Sequence, residues 1–302
     1  MPPAEVNEGV KSVHDLLLNP TVKIANIEAV ASKLQKILSH GKDEVHFICD
    51  FDMTLSRHWV KNADGKPVRN SSTHGVLGRY KRLSPEFHTE TQRLYNHYYP
   101  IEIDQSLSFE EKVPEMVAWW EQAHAALVGQ SITREDIALM VKQTYVEMRP
   151  NVDTFLKKCA DINVPLLVFS AGVSDVIQEV LNQHNMFHHN MHIVSNKMGW
   201  NDSGICDHFE EPLIHVFNKS EFCLDKTDYY QGIKDRKNVI LLGDSVGDVL
   251  MSQGVQHDTC LNIGFLNHDV ESLYPKYSQL YDIVIIGDSS VEPVLSILEK
   301  LQ

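Results

Sequence analysis

The 302-residue chain has only five cysteines, and no two of them form a C-x-x-C pair. Cys49, Cys159, Cys206, Cys223 and Cys260 are odd in number and widely spaced, which argues against a disulfide framework and points to a reducing, cytosolic setting. Positive charge is scarce too: 27 Lys and Arg stand against 41 Asp and Glu, a net charge of -14. Affinity for a nucleic-acid polymer comes chiefly from basic side chains that neutralise phosphates, so such a polymer is not expected as the main partner. A small phosphorylated ligand stays compatible, because a local field can oppose the global sign. No run of about eighteen apolar residues is long enough for a membrane span, and Met1-Pro2-Pro3-Ala4-Glu5 opens no secretion-signal pattern. Internal repeats and low-complexity tracts are missing as well, and a monomer is expected.

What the chain does have is 43% apolar residues, enough to bury a sizeable core. Short apolar runs of strand length recur: Val45 to Cys49, Val164 to Phe169, Val239 to Leu242 and Ile283 to Ile286. They alternate with helical periodicity, the pattern of a parallel sheet covered on both faces. The first 44 or so residues read as helices packed on the core, through Val13, Leu16, Leu17, Val30, Leu34 and Ile37. Between Arg57 and Arg149 the strand runs vanish, and helices are predicted over Phe87 to Tyr99 and Glu110 to Gln130. Ser108 with Glu111 resembles a capping box, while Pro114 is expected to kink or restart the second helix. Asn62 to Thr73, rich in turn formers, reads as an irregular or mobile loop. The organisation expected is an α/β core from residues 1–57 and 151–302, with a helical cap inserted at 58–150.

The polar residues that end the apolar runs carry the chemistry. In open parallel sheets such strand ends meet in one crevice. Asp50, in Asp50-Phe51-Asp52-Met53-Thr54, can attack phosphorus as a carboxylate nucleophile, and Asp52 can protonate the departing oxygen and later deprotonate water. Thr54 can brace this loop. Gly243-Asp244-Ser245-Val246-Gly247-Asp248 offers further carboxylates, and Mg²⁺ prefers such oxygen ligands, so Asp50, Asp52, Asp244 and Asp248 are the candidate metal set. The competing reading of the same motif is a solvated left-handed turn. Ser170 and the amides of Ala171 and Gly172, with Lys219, are candidates for holding phosphate oxygens.

These segments resemble the signature of the haloacid dehalogenase superfamily, which implies a Rossmann-like parallel sheet with an inserted cap. Asp50 to Arg57, Phe169-Ser170-Ala171-Gly172, Leu213 to Lys219 and Leu241 to Ser245 together resemble the cytosolic pyrimidine 5′-nucleotidase family, also called cytosolic 5′-nucleotidase III. The similarity runs from about residue 10 to the end and is weakest between Asn62 and Thr73. It implies Mg²⁺-dependent hydrolysis of nucleoside 5′-monophosphates, with the base read between core and cap. Carried over residue by residue, Glu102 falls on the base-reading glutamate, and His74 and Trp120 fall on the positions that sandwich the base.

Members restricted to common pyrimidine nucleotides resemble Trp-Tyr with Ser three positions later, whereas this chain has Trp119-Trp120 with Ala123. That pattern is similar to the relatives that also hydrolyse 7-methylguanosine monophosphate. An indole face suits the positive charge of a methylated purine. Against this, Val113, Val117, Trp120, His124 and Leu127 also recur at helical spacing, as a packing face would. His184, His188, His189 and His192 show no zinc-ligand spacing and are expected on the surface. Two other functions remain compatible with the motifs: a phosphatase for another small phosphomonoester, and a non-catalytic binder that keeps a phosphate pocket.

Overall fold

A computed structural model describes residues 7–104, 106–219, 228–253 and 257–301. Two helices, α1 (Glu8–Leu17) and α2 (Ile27–His40), flank the short strand β1 (Val22–Lys23). There follow β2 (Val45–Cys49), the strands β3 (Trp59–Lys61) and β4 (Pro67–Arg69), and helices α3 (Thr73–Gly78), α4 (Pro85–Ile103), α5 (Phe109–Val128) and α6 (Arg134–Thr144). The chain continues through α7 (Val152–Asp161), β5 (Leu166–Val173), α8 (Ser174–Gln183), β6 (Met191–Asn196), β7 (Met198–Trp200) and β8 (Cys206–Phe209). It ends with α9 (Asp228–Ile233), β9 (Asn238–Gly243), β10 (Thr259–Leu266), α10 (Val270–Leu280), β11 (Ile283–Ile286) and α11 (Glu292–Leu298).

The strands β1-β11-β10-β9-β2-β5-β6 hydrogen-bond in that order, all parallel except β1 against β11. Every residue of β2, β5 and β9 is buried, the consequence of helices on both faces and the reason these strands read as unbroken apolar runs. From β2 the chain steps outward to β5 and β6, then returns to β9 on the other side. The order reverses at β2, so the carboxyl ends of β2, β5 and β9 frame the crevice where open α/β sheets bind ligands.

Helix ends follow local rules. Ser84 caps α4 with Pro85 in the first turn, and Ser108 with Glu111 forms the expected capping box on α5. Pro114 neither restarts nor ends α5, which runs unbroken to Val128. The expected loop from Asn62 to Thr73 is instead a hairpin of β3 and β4 followed by the start of α3. Its turn is built by Asn62, whose side chain accepts from the backbone N–H of Asp64 and Lys66 at 3.0 and 2.9 Å. The strand expected to stop at Phe169 continues to Val173 across a register shift, so Ser170 to Gly172 lie inside β5. The His-rich stretch is half-buried more than exposed. His192 sits in β6 against Tyr229 at 5.0 Å, and His184 Nε2 lies 2.9 Å from Val146 O. Cys49, Cys159, Cys206 and Cys260 form no disulfide, and Cys223 lies outside the described residues.

Candidate active site

Asp50 follows the last residue of β2, and its backbone N–H donates to Leu242 O at 2.9 Å, which ties this strand end to β9. The chain then turns through Phe51–Leu55 with Met53 at φ 64°. A left-handed non-glycine residue costs roughly 1–2 kcal/mol, so the turn needs support from outside. Arg149 provides it. Its buried guanidinium donates to Met53 O at 2.5 Å and Thr54 O at 2.6 Å, and Asn267 Nδ2 donates to the same Met53 carbonyl at 3.0 Å. Burial lowers the Arg149 pKa to about 10 while Asp288, 3.4 Å away, resists, so the group stays cationic at neutral pH.

Lys219 Nζ lies 2.5 Å from Asp50 Oδ1 and 2.9 Å from Asp248 Oδ1. Asp50, Lys219 and Asp248 are 4%, 3% and 1% exposed, so these contacts are shielded from water. The other Asp248 oxygen accepts from the backbone N–H of Asp244 and Ser245 at 3.0 and 2.8 Å. Hydroxyls of Tyr277 and Tyr281 donate to the carbonyls of Asp244 and Ser245. Gly243 is no left-handed turn residue. A β-carbon there would lie 2.4 Å from Asp248 Cβ, so the glycine serves close approach instead.

One oxygen each from Asp50, Asp244 and Asp248 can be chosen so that all three lie within 4.8 Å of one another. Burial pushes the Asp50 pKa up to about 7, against the pull of Lys219 and with the help of Asp248. Asp244 moves the same way through burial and its two acidic neighbours. For Lys219 burial opposes the charge, but Asp248 and Asp50 outweigh it and hold its pKa above the ordinary lysine range. Three crowded carboxylates with one ammonium among them are under-compensated, and an all-oxygen anionic donor set of this kind fits a hard divalent cation. Thr54 Oγ1 reaches Asp244 Oδ1 at 3.4 Å.

The Asp52 carboxylate is not part of that trio. It accepts from Thr73, through the backbone N–H at 3.0 and 3.2 Å and through Oγ1 at 2.9 Å. Burial raises the Asp52 pKa to about 6, with the Thr73 hydrogen bonds opposing. Ser170 Oγ is buried and accepts from Gly172 N at 3.1 Å, so that amide is turned inward here. Ala171 O accepts from Asn196 Nδ2 at 2.8 Å.

The expected base-binding residues gather beside this centre. His74 and Trp120 lie face to face, ring centroids 4.4 Å apart and planes 13° from parallel, which leaves no room for a base between them in this conformation. His124 stacks on Phe209 at 3.8 Å and lies 6.2 Å from His74, nearly coplanar in orientation. His74 Nε2, Trp120 Nε1 and His124 Nε2 are buried without a hydrogen-bond partner among the described residues. Burial lowers His74 to about 3, with His124 contributing, and lowers His124 to about 4, so both rings are neutral. Of the expected α5 stripe, His124 and Leu127 are buried, whereas Val113, Val117 and Trp120 are half-buried and Met116, Trp119 and Ala123 take the buried positions instead. Ala123 packs in the cluster of Leu94, Tyr98, Met116 and Trp119. Glu102 is half-buried near the end of α4. Burial raises its pKa, with Arg69 and Lys112 opposing, and its carbonyl accepts from Lys112 Nζ at 2.8 Å.

A cavity of about 500 Å³ opens between α5 and the segment from Phe209 to Asn218, lined by Val117, Glu121 and His124 on the helix side. The carboxylate cluster does not line it. Thr73, Arg149, Asn267, Tyr277 and Tyr281 brace the site and were not expected from the sequence. Each acts through a contact distant along the chain, and no local sequence signal marks any of them.

A pyrimidine 5′-nucleotidase family model, UMPH-1, matches residues 53–302. The chain belongs to the pyrimidine 5′-nucleotidase family. It is a 5′-nucleotidase, a phosphoric monoester hydrolase, by that membership. It is 39% identical over 286 residues to a 7-methylguanosine phosphate-specific 5′-nucleotidase of Gallus gallus, covering 94% of this chain and 97% of the relative. A crystal structure of cytosolic 5′-nucleotidase IIIB bound to cytidine superposes with a TM-score of 0.86 at 30% identity, covering 95% of each chain. A phosphoserine phosphatase solved as a phospho-aspartyl intermediate analogue shares the fold, with a TM-score of 0.51 at 14% identity, over 84% of this chain and 98% of its own. The family therefore sits on the haloacid dehalogenase-type α/β fold, as its resemblance implied. Among the described residues no helix is long and apolar enough to cross a membrane.

Proposed function

We propose that the chain hydrolyses nucleoside 5′-monophosphates, 7-methylguanosine monophosphate and CMP foremost and UMP as well, to nucleoside and phosphate. The observation that carries the reading is the join between two sets: the buried Asp50-Lys219-Asp248 cluster leads into Asp52, which Thr73 holds, and the next residue, His74, stacks on Trp120 in a group with three ring nitrogens unpartnered among the described residues. The relatives support the substrate class, one being specific for 7-methylguanosine phosphate and one solved with cytidine.

Asp50 attacks phosphorus in line, the ester bond breaks, and Asp52 gives its proton to the leaving 5′ oxygen. Water then attacks the aspartyl-phosphate while Asp52 takes its proton back. Lys219 and Ser170, with the Ala171-Gly172 backbone, hold the phosphate oxygens. Asp50, Asp244 and Asp248 would hold Mg²⁺, with Asp52 beside them, and the ion would neutralise charge on the phosphate oxygens. Residues 1–57 and 151–302 act as the catalytic core, and 58–150 as a cap that closes over the nucleotide. His74 and Trp120 must part to admit the base, with Glu102 meeting its donor edge and the charge of a methylated purine. Ala123 leaves room beside Trp120. The protein works as a cytosolic monomer on a small substrate, not on a nucleic-acid polymer or at a membrane.

The test is phosphate release, with and without Mg²⁺, from 7-methylguanosine, cytidine, uridine and guanosine 5′-monophosphates, phosphoserine and a sugar phosphate side by side. Preference for the methylated guanine and cytidine nucleotides is expected. Turnover of only phosphoserine or the sugar phosphate would discard the base-pocket reading and leave a general phosphatase.

A further inference from the structure

We propose that Thr73 is the positioning residue that aims Asp52 for proton transfer at the reacting oxygens. The inference rests on the reading of Asp52 as proton donor and acceptor given above.

Among the described residues, every hydrogen bond to the Asp52 carboxylate comes from Thr73. One residue thus holds both oxygens, and two donors on a carboxylate fix its plane as well as its position. Thr73 Oγ1 accepts from Val173 N at 3.3 Å and donates its single proton to Asp52 Oδ2 at 2.9 Å. The backbone N–H lies 3.0 Å from Oδ1 and 3.2 Å from Oδ2, so it spans both oxygens.

An ordinary structural duty for this hydroxyl would be to cap its own helix. That duty falls to Ser72, whose side chain accepts from Gly75 N at 3.2 Å, and the Thr73 hydroxyl reaches across to the nucleophile turn instead. The position is also tightly enclosed. Thr73 is fully buried, and a β-carbon at Gly172 would lie 2.2 Å from its Oγ1, so β5 carries glycine where Thr73 presses against it. The nucleophile turn, the start of α3 and the strand that carries Ser170 all meet at this one hydroxyl. The neighbouring residue, His74, is the one stacked on Trp120, which places a ring of the proposed base pocket and the residue that holds the proton carrier on the same turn of α3.

In the step concerned, an Asp50 oxygen bonds to phosphorus as the P–O5′ bond breaks. The electron pair stays on O5′, which takes the proton from Asp52. A nucleotide leaves as a basic alkoxide and needs that proton, whereas nitrophenolate leaves without one. The experiment measures kcat/KM, which reports steps through departure of the leaving group, for CMP and p-nitrophenyl phosphate on the wild type, Thr73→Val, Thr73→Ser and Asp52→Asn. Thr73→Val should lower kcat/KM for CMP about tenfold or more, yet less than about threefold for p-nitrophenyl phosphate, and Thr73→Ser should restore the wild-type ratio. Thr73→Ala gives the same readout if Thr73→Val fails to fold. A role limited to stability would lower both substrates together and overturn the proposal, as would no loss on either. If Asp52→Asn splits the two substrates and the Thr73 variants do not, the proposal alone falls. If Asp52→Asn lowers both equally, the reading of Asp52 falls and the proposal goes with it.

Discussion

Gly172 has space for a hydrogen and nothing larger on the side that faces Thr73, since a β-carbon there would meet Oγ1 at 2.2 Å. Gly172→Ala should therefore push Thr73 off Asp52. A loss of about 1–3 kcal/mol in urea unfolding is expected from the overpacking. Turnover should fall by up to about a hundredfold, because misplacing a reacting group by an ångström costs that much. Asp50→Asn removes the proposed nucleophile but leaves an oxygen to accept from Lys219, so turnover should drop to background with an unchanged circular dichroism spectrum. Retained turnover would contradict a covalent route through Asp50. His124 supplies a pH test. Its pKa is depressed by burial from 6.5 to about 4, so below pH 6.5 the unfolded chain takes up a proton that the folded one refuses. Stability is full above 6.5 and declines as pH falls toward 4, with a slope of up to about 1.4 kcal/mol per pH unit from this residue. Asp50 and Asp52, raised by burial, change stability in the opposite sense over the same range, so the comparison must be with a variant. Wild type should lose more stability than His124→Gln between pH 6.5 and 5, and equal losses would contradict a neutral buried ring.

The helix α5 works through two adjacent tryptophans whose rings stack at 5.2 Å but whose further partners differ. Trp119 packs with Tyr98 at 5.8 Å and joins α5 to α4, whereas Trp120 turns to His74. Trp119→Ala should chiefly cost stability, about 3–5 kcal/mol. Trp120→Ala should chiefly raise KM, more for 7-methylguanosine monophosphate than for CMP, because an indole face attracts a cation by about 0.5–2 kcal/mol. Equal rises for both nucleotides would count against that reading of the ring. Strands β2, β5, β9 and β11 were legible because burial on both faces demands unbroken apolar runs. β10 and β6 were not, since Asn262 and Gly264 interrupt one and His192, Ser195 and Asn196 the other. The β3-β4 hairpin was not legible because its exposed strands need no apolar face, and of the α5 stripe His124 and Leu127 were legible whereas Trp120 was not, because two adjacent tryptophans compete for the buried position. Asp50 and Asp244 could be read as strand-end chemistry, and Asp248 and Lys219 from the polar motifs that follow apolar runs. Thr73 and Arg149 could not, for their partners are 21 and 95 or more residues away.

The sheet reverses its order at β2 and so delivers Asp50, Ser170 and Asp244 to one crevice from three strands, an arrangement that depends on the entire α/β layer being intact. With a net charge of -14 and a buried trio of carboxylates, the protein gains most from a cation at that point. Mg²⁺ at about a hundred times its dissociation constant should add about 2.7 kcal/mol to unfolding. Asp244→Asn should abolish most of that gain, and an equal Mg²⁺ stabilisation in the variant would place the ion elsewhere. On the proposed reading the His74-Trp120 stack opens to admit the base and the cap closes over it, so solution scattering should report compaction when a phosphate mimic and nucleoside bind together. The most direct measurement is to quench the enzyme in acid during turnover of CMP and map the phosphate by mass spectrometry. Phosphate on Asp50, absent from Asp50→Asn, is the predicted result. An unmodified Asp50 under conditions of rapid turnover, or phosphate on another residue, would contradict it.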